Sequence, residues 1–208
     1  MSRLGRAVDL VVHAASAVRG ERVIHAKGQA FYGELTLLPD ASALDVPIAR
    51  GPRQRPVLVR FSRGAGLPDV LPDVLGIAIR VPDADGAGHP QDLMLSTGGG
   101  SPVLRRILVP RWDYRTSTYT SLISYEVGAR DLVVGALPDG EGFLLATAEG
   151  GSAWTPFARL TVGAPLPDEQ SRQLSFSVSN DAGGLRIGGR WRAARAGAYA
   201  AARSVESP

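Results

Sequence analysis

The chain has 208 residues, is 44% hydrophobic and 21% charged, and contains no cysteine. That length suits one domain with a sizeable core, and the missing thiols exclude a disulfide-stapled fold, a thiolate metal site and a cysteine nucleophile. The net charge is only +3, Lys27 is the sole lysine among 23 basic residues, and the arginines are scattered without a basic run, so nothing points to nucleic acid.

In chain order, Arg3 to Arg19 comes first. Leu4, Val8, Val11, Ala15 and Val18 recur at spacings of three and four, which predicts an amphipathic helix closed by Gly20. Residues 1–20 are therefore read as a helical arm. Such an arm needs a surface to lie against, which is compatible with a homodimer. The stretch Val8–Val18 carries Asp9 and His13 and does not read as an export signal. No segment approaches the roughly 18 uninterrupted apolar residues of a membrane span. The expectation is a cytoplasmic protein with no membrane partner.

Beyond Gly20 the pattern changes to short apolar runs separated by Pro, Gly and Asp. Strands are predicted at Gln29–Leu38, Pro56–Ser62, Leu75–Val81, Asp92–Ser96, Ser121–Tyr125, Leu132–Leu137, Gly142–Ala148, Phe157–Val162 and Leu174–Ser179. The turn signal Pro138-Asp139-Gly140 predicts a hairpin into Gly142. Many short strands with close turn signals point to an antiparallel barrel or sandwich. Arg190 to Arg203 is rich in Ala and Arg and predicts a C-terminal helix. The class expected is α+β: one barrel domain over residues 21–208, with a helix at each end of the chain.

Most standard sites are missing. There is no Gly-x-Ser-x-Gly elbow, no Walker loop and no His-Glu-x-x-His. His13, His25 and His89 lack metal-ligand spacing. The informative stretch is Glu21-Arg-Val-Ile-His-Ala-Lys-Gly28. In an extended chain Arg22 and His25 point to opposite sides. One could reach over a ligand while the other grips its edge; the bland alternative is a histidine satisfied in a turn.

Four blocks bear on that choice. Arg22-Val-Ile-His-Ala-Lys-Gly28, followed by Phe31, Tyr32 and Gly33, resembles the distal-histidine segment of haem catalases, Arg-Val-Val-His-Ala-Lys-Gly. Pro56-Val-Leu-Val-Arg-Phe-Ser62 is similar to the next strand of that family. Pro72-Asp-Val-Leu-Gly-Ile-Ala-Ile-Arg80 resembles the strand after it. Asp92-Leu93 stands where the family has Trp-Asp-Leu-Val-Gly-Asn-Asn. The blocks keep the family order over roughly residues 21–105.

The resemblance implies an antiparallel β-barrel with haem b lying against it, and a set of roles. His25 would be the distal base that moves a proton between peroxide oxygens. Ser62 would hold its tautomer. Arg22 and Arg60 would pair with haem propionates, as guanidinium suits carboxylate, and Phe61 would line the cofactor. The family's axial tyrosinate comes from Arg-x-x-x-Tyr on a helix. Arg195-Ala-Gly-Ala-Tyr199 answers that spacing, with Tyr199 as iron ligand and Arg195 lowering its phenol pKa. Tyr119, four residues after Arg115, is the rival ligand.

One departure matters. The family's Gly-Asn-Asn is replaced by Leu95-Ser96-Thr97 and three glycines, and the chain's one asparagine is Asn180. Ser96 or Thr97 is the candidate substitute, with Ser96 taken as the site residue. The resemblance therefore implies a small haem oxidoreductase using hydrogen peroxide or organic hydroperoxides with a small organic co-substrate, a peroxidase more than an efficient catalase. The alternative is a haem-free barrel that binds an apolar ligand or a partner protein.

Overall fold

The computed structural model describes residues 28–188 except 65 and 69. Both terminal helices expected from the sequence lie outside these residues, as do Arg22, His25, Arg195 and Tyr199.

Ten strands form the framework of the described chain: β1 Gly28–Leu37, β2 Gln54–Arg63, β3 Leu75–Val81, β4 Gln91–Thr97, β5 Tyr119–Thr120, β6 Tyr125–Val127, β7 Arg130–Asp139, β8 Gly142–Glu149, β9 Thr155–Pro165 and β10 Arg186–Ile187. The single α-helix among them is α1, Asp168–Gln173. This overturns the α+β class. The described architecture is a mostly-β antiparallel barrel with one short helix and two 3-10 turns. The apolar runs are too short and too often broken by Pro, Gly and Asp to form long helices.

The strand order is β10-β6-β7-β5-β4-β3-β2-β1-β9-β8, and β8 also pairs with β7. That extra pairing closes eight strands into a ring, with β6 and β10 appended beside β7. Every strand pair among the described residues is antiparallel. Side chains alternate between the two faces of a strand. Val57, Val59, Ile77, Ile79, Leu93, Leu95, Leu145 and Leu160 fill the interior and are all nearly or fully buried.

The predicted hairpin forms as read. Asp139 pairs with Gly142 across a two-residue turn, and Gly140 at its first corner has a φ of 60° that a glycine tolerates best. The strand predicted at Ser121–Tyr125 breaks instead. Leu122 has a φ of 46°, and the chain splits into β5 above it and β6 below. The predicted strand Leu174–Ser179 has no strand partner. It runs as an irregular strap over the outer face of the barrel, following α1.

Candidate functional site

The register of the first four strands builds one surface. Gly28 pairs with Ser62, Ser62 with Gly76, Gly76 with Ser96, and Ser96 with Thr120. Residues directly opposite across an antiparallel pair share a face. Because Phe61 and Leu95 face the core, this row faces outward. Ser62 and Ser96 stand two strands apart, about 10 Å at the usual strand spacing. Only the hydrogen of Gly76 lies between them, so the row is a shelf of small groups.

Ser62 is 3% exposed, and Gly76 is buried; Ser96 is half-buried. Gly28 cannot carry a side chain. A Cβ there would lie 2.5 Å from the Phe61 carbonyl oxygen and 2.9 Å from Arg60 Nε. The last residue of the Arg22–Gly28 motif is thus fixed by the close approach of β2 and the Arg60 side chain.

Arg60 projects outward two residues before Ser62. Its Nη1 donates to the Leu174 carbonyl at 3.1 Å. Burial lowers its pKa from the usual guanidinium value.

The strap of residues 174–180 bounds the shelf on one side. Arg80 donates to the Ser175 carbonyl at 2.6 Å and lies over the Phe176 ring. Asp92, on the same outer face, accepts from Ser177 N–H and from Asn180 Nδ2, each at 2.8 Å. The chain's one asparagine is therefore engaged at the opposite end of β4 from Ser96. Helix α1 continues the cover onto β1, where Ala30 N–H donates to Ser171 Oγ at 2.9 Å.

Two predicted site residues lie on the other face. Phe61 points into the barrel, in an aromatic cluster with Phe31, Tyr114 and Phe143 at centroid distances of 5.7, 5.3 and 6.2 Å. Tyr119 is also interior and fully buried. Its hydroxyl donates to the Tyr114 carbonyl at 2.8 Å, and burial, with Tyr114 and Asp113 nearby, pushes its pKa well above the usual phenol value. Its hydroxyl is turned into the core, on the opposite face from Ser62 and Ser96. Alternation of faces along a strand could have separated Phe61 from Ser62 in the sequence. Gly76 was missed as a site residue; its signal is the pairing that places it between two serines.

Among the described residues no three His, Asp or Glu side chains gather to hold a metal ion. No family model matches the chain.

The chain is similar over 85 residues to a catalase-related peroxidase of Mycolicibacterium paratuberculosis, at 34% identity. The match takes in 39% of this chain and 27% of that relative. It thus spans about a quarter of the relative's length, and what the relative does as a whole does not come with it. The likeness is to a catalase-like group of proteins and is partial.

Among the described residues no helix is long and apolar enough to cross a membrane.

Proposed function

We propose that this chain is a small catalase-like haem oxidoreductase that works as a peroxidase on hydrogen peroxide or organic hydroperoxides, with a small organic co-substrate. The observation that carries the reading is the outward row Gly28, Ser62, Gly76 and Ser96. The partial likeness to a catalase-related peroxidase adds to it. A shelf whose largest groups are two hydroxyls fits the flat face of a porphyrin. The desolvated Arg60 guanidinium beside it fits a carboxylate edge.

When bound, haem supplies the redox chemistry that cleaves the peroxide O–O bond. The residues of this chain supply positioning and proton transfer. His25 takes the proton from the near oxygen of peroxide and returns it to the far one. It precedes Gly28 by three residues, so an extended link of about 11 Å suffices to bring it to the shelf. Ser62 Oγ hydrogen-bonds the imidazole and fixes its tautomer. Ser96 Oγ offers the peroxide a donor in place of an amide. A hydroxyl holds a peroxide less firmly than an asparagine amide with two N–H donors, which favours one-substrate-at-a-time peroxidase turnover over rapid disproportionation. Arg22 and Arg60 would hold the propionates, and Tyr199 would hold the iron, with Arg195 four residues before it stabilising the phenolate.

The deciding experiment is an absorption spectrum of the purified chain titrated with hemin. The expected result is a Soret band that saturates at one haem per chain, with guaiacol-type oxidation lost in His25→Ala. A preparation that stays colourless overturns the reading and leaves a haem-free barrel. Vigorous oxygen release from peroxide would contradict the demotion of catalase activity.

A further inference from the structure

Two loops leave the shelf end of the barrel. The first joins β2 to β3 and the second joins β4 to β5. Main-chain hydrogen bonds in both directions between Asp73 and Arg111, at 3.0 and 2.8 Å, hold them side by side. Both present large apolar side chains to solvent: Leu67, Val70 and Leu71 in the first, Val103, Ile107 and Trp112 in the second. Val70 is 77% exposed, Val103 83% and Trp112 63%. Large apolar side chains gathered on two loops held side by side are more than the scattered exposed apolar residues of an ordinary surface.

The apolar tips are held out by polar bracing beneath them. In the first loop, Arg63 donates to the carbonyls of Leu67, Pro68 and Leu71 at 2.7–3.2 Å. Buried Asp73 accepts from the Leu67 N–H and lies 3.5 Å from Arg63 Nε. In the second loop, Arg105 is buried, stacks on Trp154 at 4.5 Å and donates to the Ser152 carbonyl. Trp154 Nε1 in turn donates to the Gly100 carbonyl. Arg63, Asp73 and Arg105 are thus turned inward, while the aliphatic side chains above them face outward.

We infer that these paired loops dock the protein on an anionic lipid surface. Two features choose lipid over a second copy of the chain. The most exposed residues are aliphatic and carry no polar group that would fix a partner's orientation, which suits a fluid interface better than a rigid one. The second loop is also rimmed by the exposed arginines Arg106, Arg111 and Arg115, while its one carboxylate, Asp113, already accepts the N–H groups of Arg115 and Thr116. A two-fold contact would bring that rim against itself, whereas anionic headgroups complement it. Exposed aliphatics, a tryptophan and arginines are the composition of an interfacial contact. The sequence expectation of no membrane partner came from the missing span, which a peripheral contact does not need. The inference does not depend on haem.

The test is co-flotation of the full chain with vesicles of phosphatidylcholine alone and of equal parts phosphatidylcholine and phosphatidylglycerol. The expected result is binding to the anionic vesicles that weakens with added salt. The double variant Val70→Asp, Val103→Asp should bind them at least about tenfold less, as two inserted aliphatics are replaced by charges. Arg111→Gln with Arg115→Gln should bind several-fold less and depend less on salt. Thermal melts establish that both variants remain folded, and all four side chains are solvent-facing. Failure of the unmodified chain to float overturns the inference, as does equal binding by the aspartate variant. A lipid-free dimer in sedimentation velocity that the same aspartates dissociate overturns it in favour of an interface between copies.

Discussion

Arg80 on β3 grips Asp92 on β4 through two parallel contacts, 2.7 Å from Nε to Oδ1 and 2.6 Å from Nη2 to Oδ2. The Asp92 side chain has no exposed surface. Its Oδ2 also accepts from Ser177 N–H and Asn180 Nδ2. One carboxylate thus ties two strands to the strap that crosses them. Replacing it leaves a partly buried guanidinium and two further donors, Ser177 N–H and Asn180 Nδ2, without their acceptor. Asp92→Ala should cost about 3 kcal/mol of stability, read from urea unfolding. A loss below about 1 kcal/mol would mean that water replaces the carboxylate at no penalty.

The shelf predicts a separation between binding and turnover. Ser62→Ala removes one hydroxyl from the outer face and leaves the interior untouched. Hemin affinity should stay within a factor of about two, while peroxidase kcat falls roughly tenfold or more through misorientation of the imidazole. Equal loss of affinity and turnover would assign Ser62 to cofactor packing.

Tyrosine substitutions discriminate the ligand candidates by face. Tyr119→Phe should leave the haem spectrum unchanged, because the ring is interior and its hydroxyl serves the Tyr114 carbonyl. Tyr199→Phe should abolish the tyrosinate-type spectrum. The opposite pattern would place the iron inside the barrel.

Buried phenols set an alkaline limit. Burial pushes the Tyr125 pKa up to about 12, and Tyr119 is raised as well. Unfolded, both would ionise near pH 10. A raised native pKa means stability that is complete below pH 10 and is lost as pH rises toward 12. Phenolate absorbance should therefore show two tyrosines titrating late and together with unfolding. Early, independent titration of all five would contradict the packing.

At the acid end, Asp85 caps the loop between β3 and β4. It accepts from Ala87 N–H and from His89, and these bonds lower its pKa to about 2. A depressed carboxylate contributes stability above its ordinary pKa near 4 and loses it as pH falls to about 2. The amide resonances of Ala87 and His89 should shift over that window in the unmodified chain and not in Asp85→Asn.

The barrel was legible where one face of a strand is buried. Leu75–Val81 was read to the residue because Leu75, Ile77, Ile79 and Val81 alternate with small or polar neighbours and all reach the core. Helix α1 was missed because Asp168-Glu-Gln-Ser-Arg-Gln173 carries no apolar period. The strap was taken for a strand because Leu174, Phe176 and Val178 alternate. Its hydrogen bonds go instead to the side chains of Arg60, Arg80 and Asp92, partners about a hundred residues away that local pattern does not reveal. Of the candidate site, Ser62 was named by motif and Ser96 as a substitute for a missing asparagine, and it is the register that sets the two in one row. Phe61 was adopted with its neighbour although a single-residue step reverses the face.

Strand β9 is the keystone of the ring, since it alone links β1 to β8. A nascent chain that has emerged only as far as β8 therefore carries two open margins, one along each of those strands. Such margins recruit other chains. Ribosome stalling or truncation ahead of Thr155 should thus yield inclusion bodies, whereas loss of residues after the strap leaves the ring sealed.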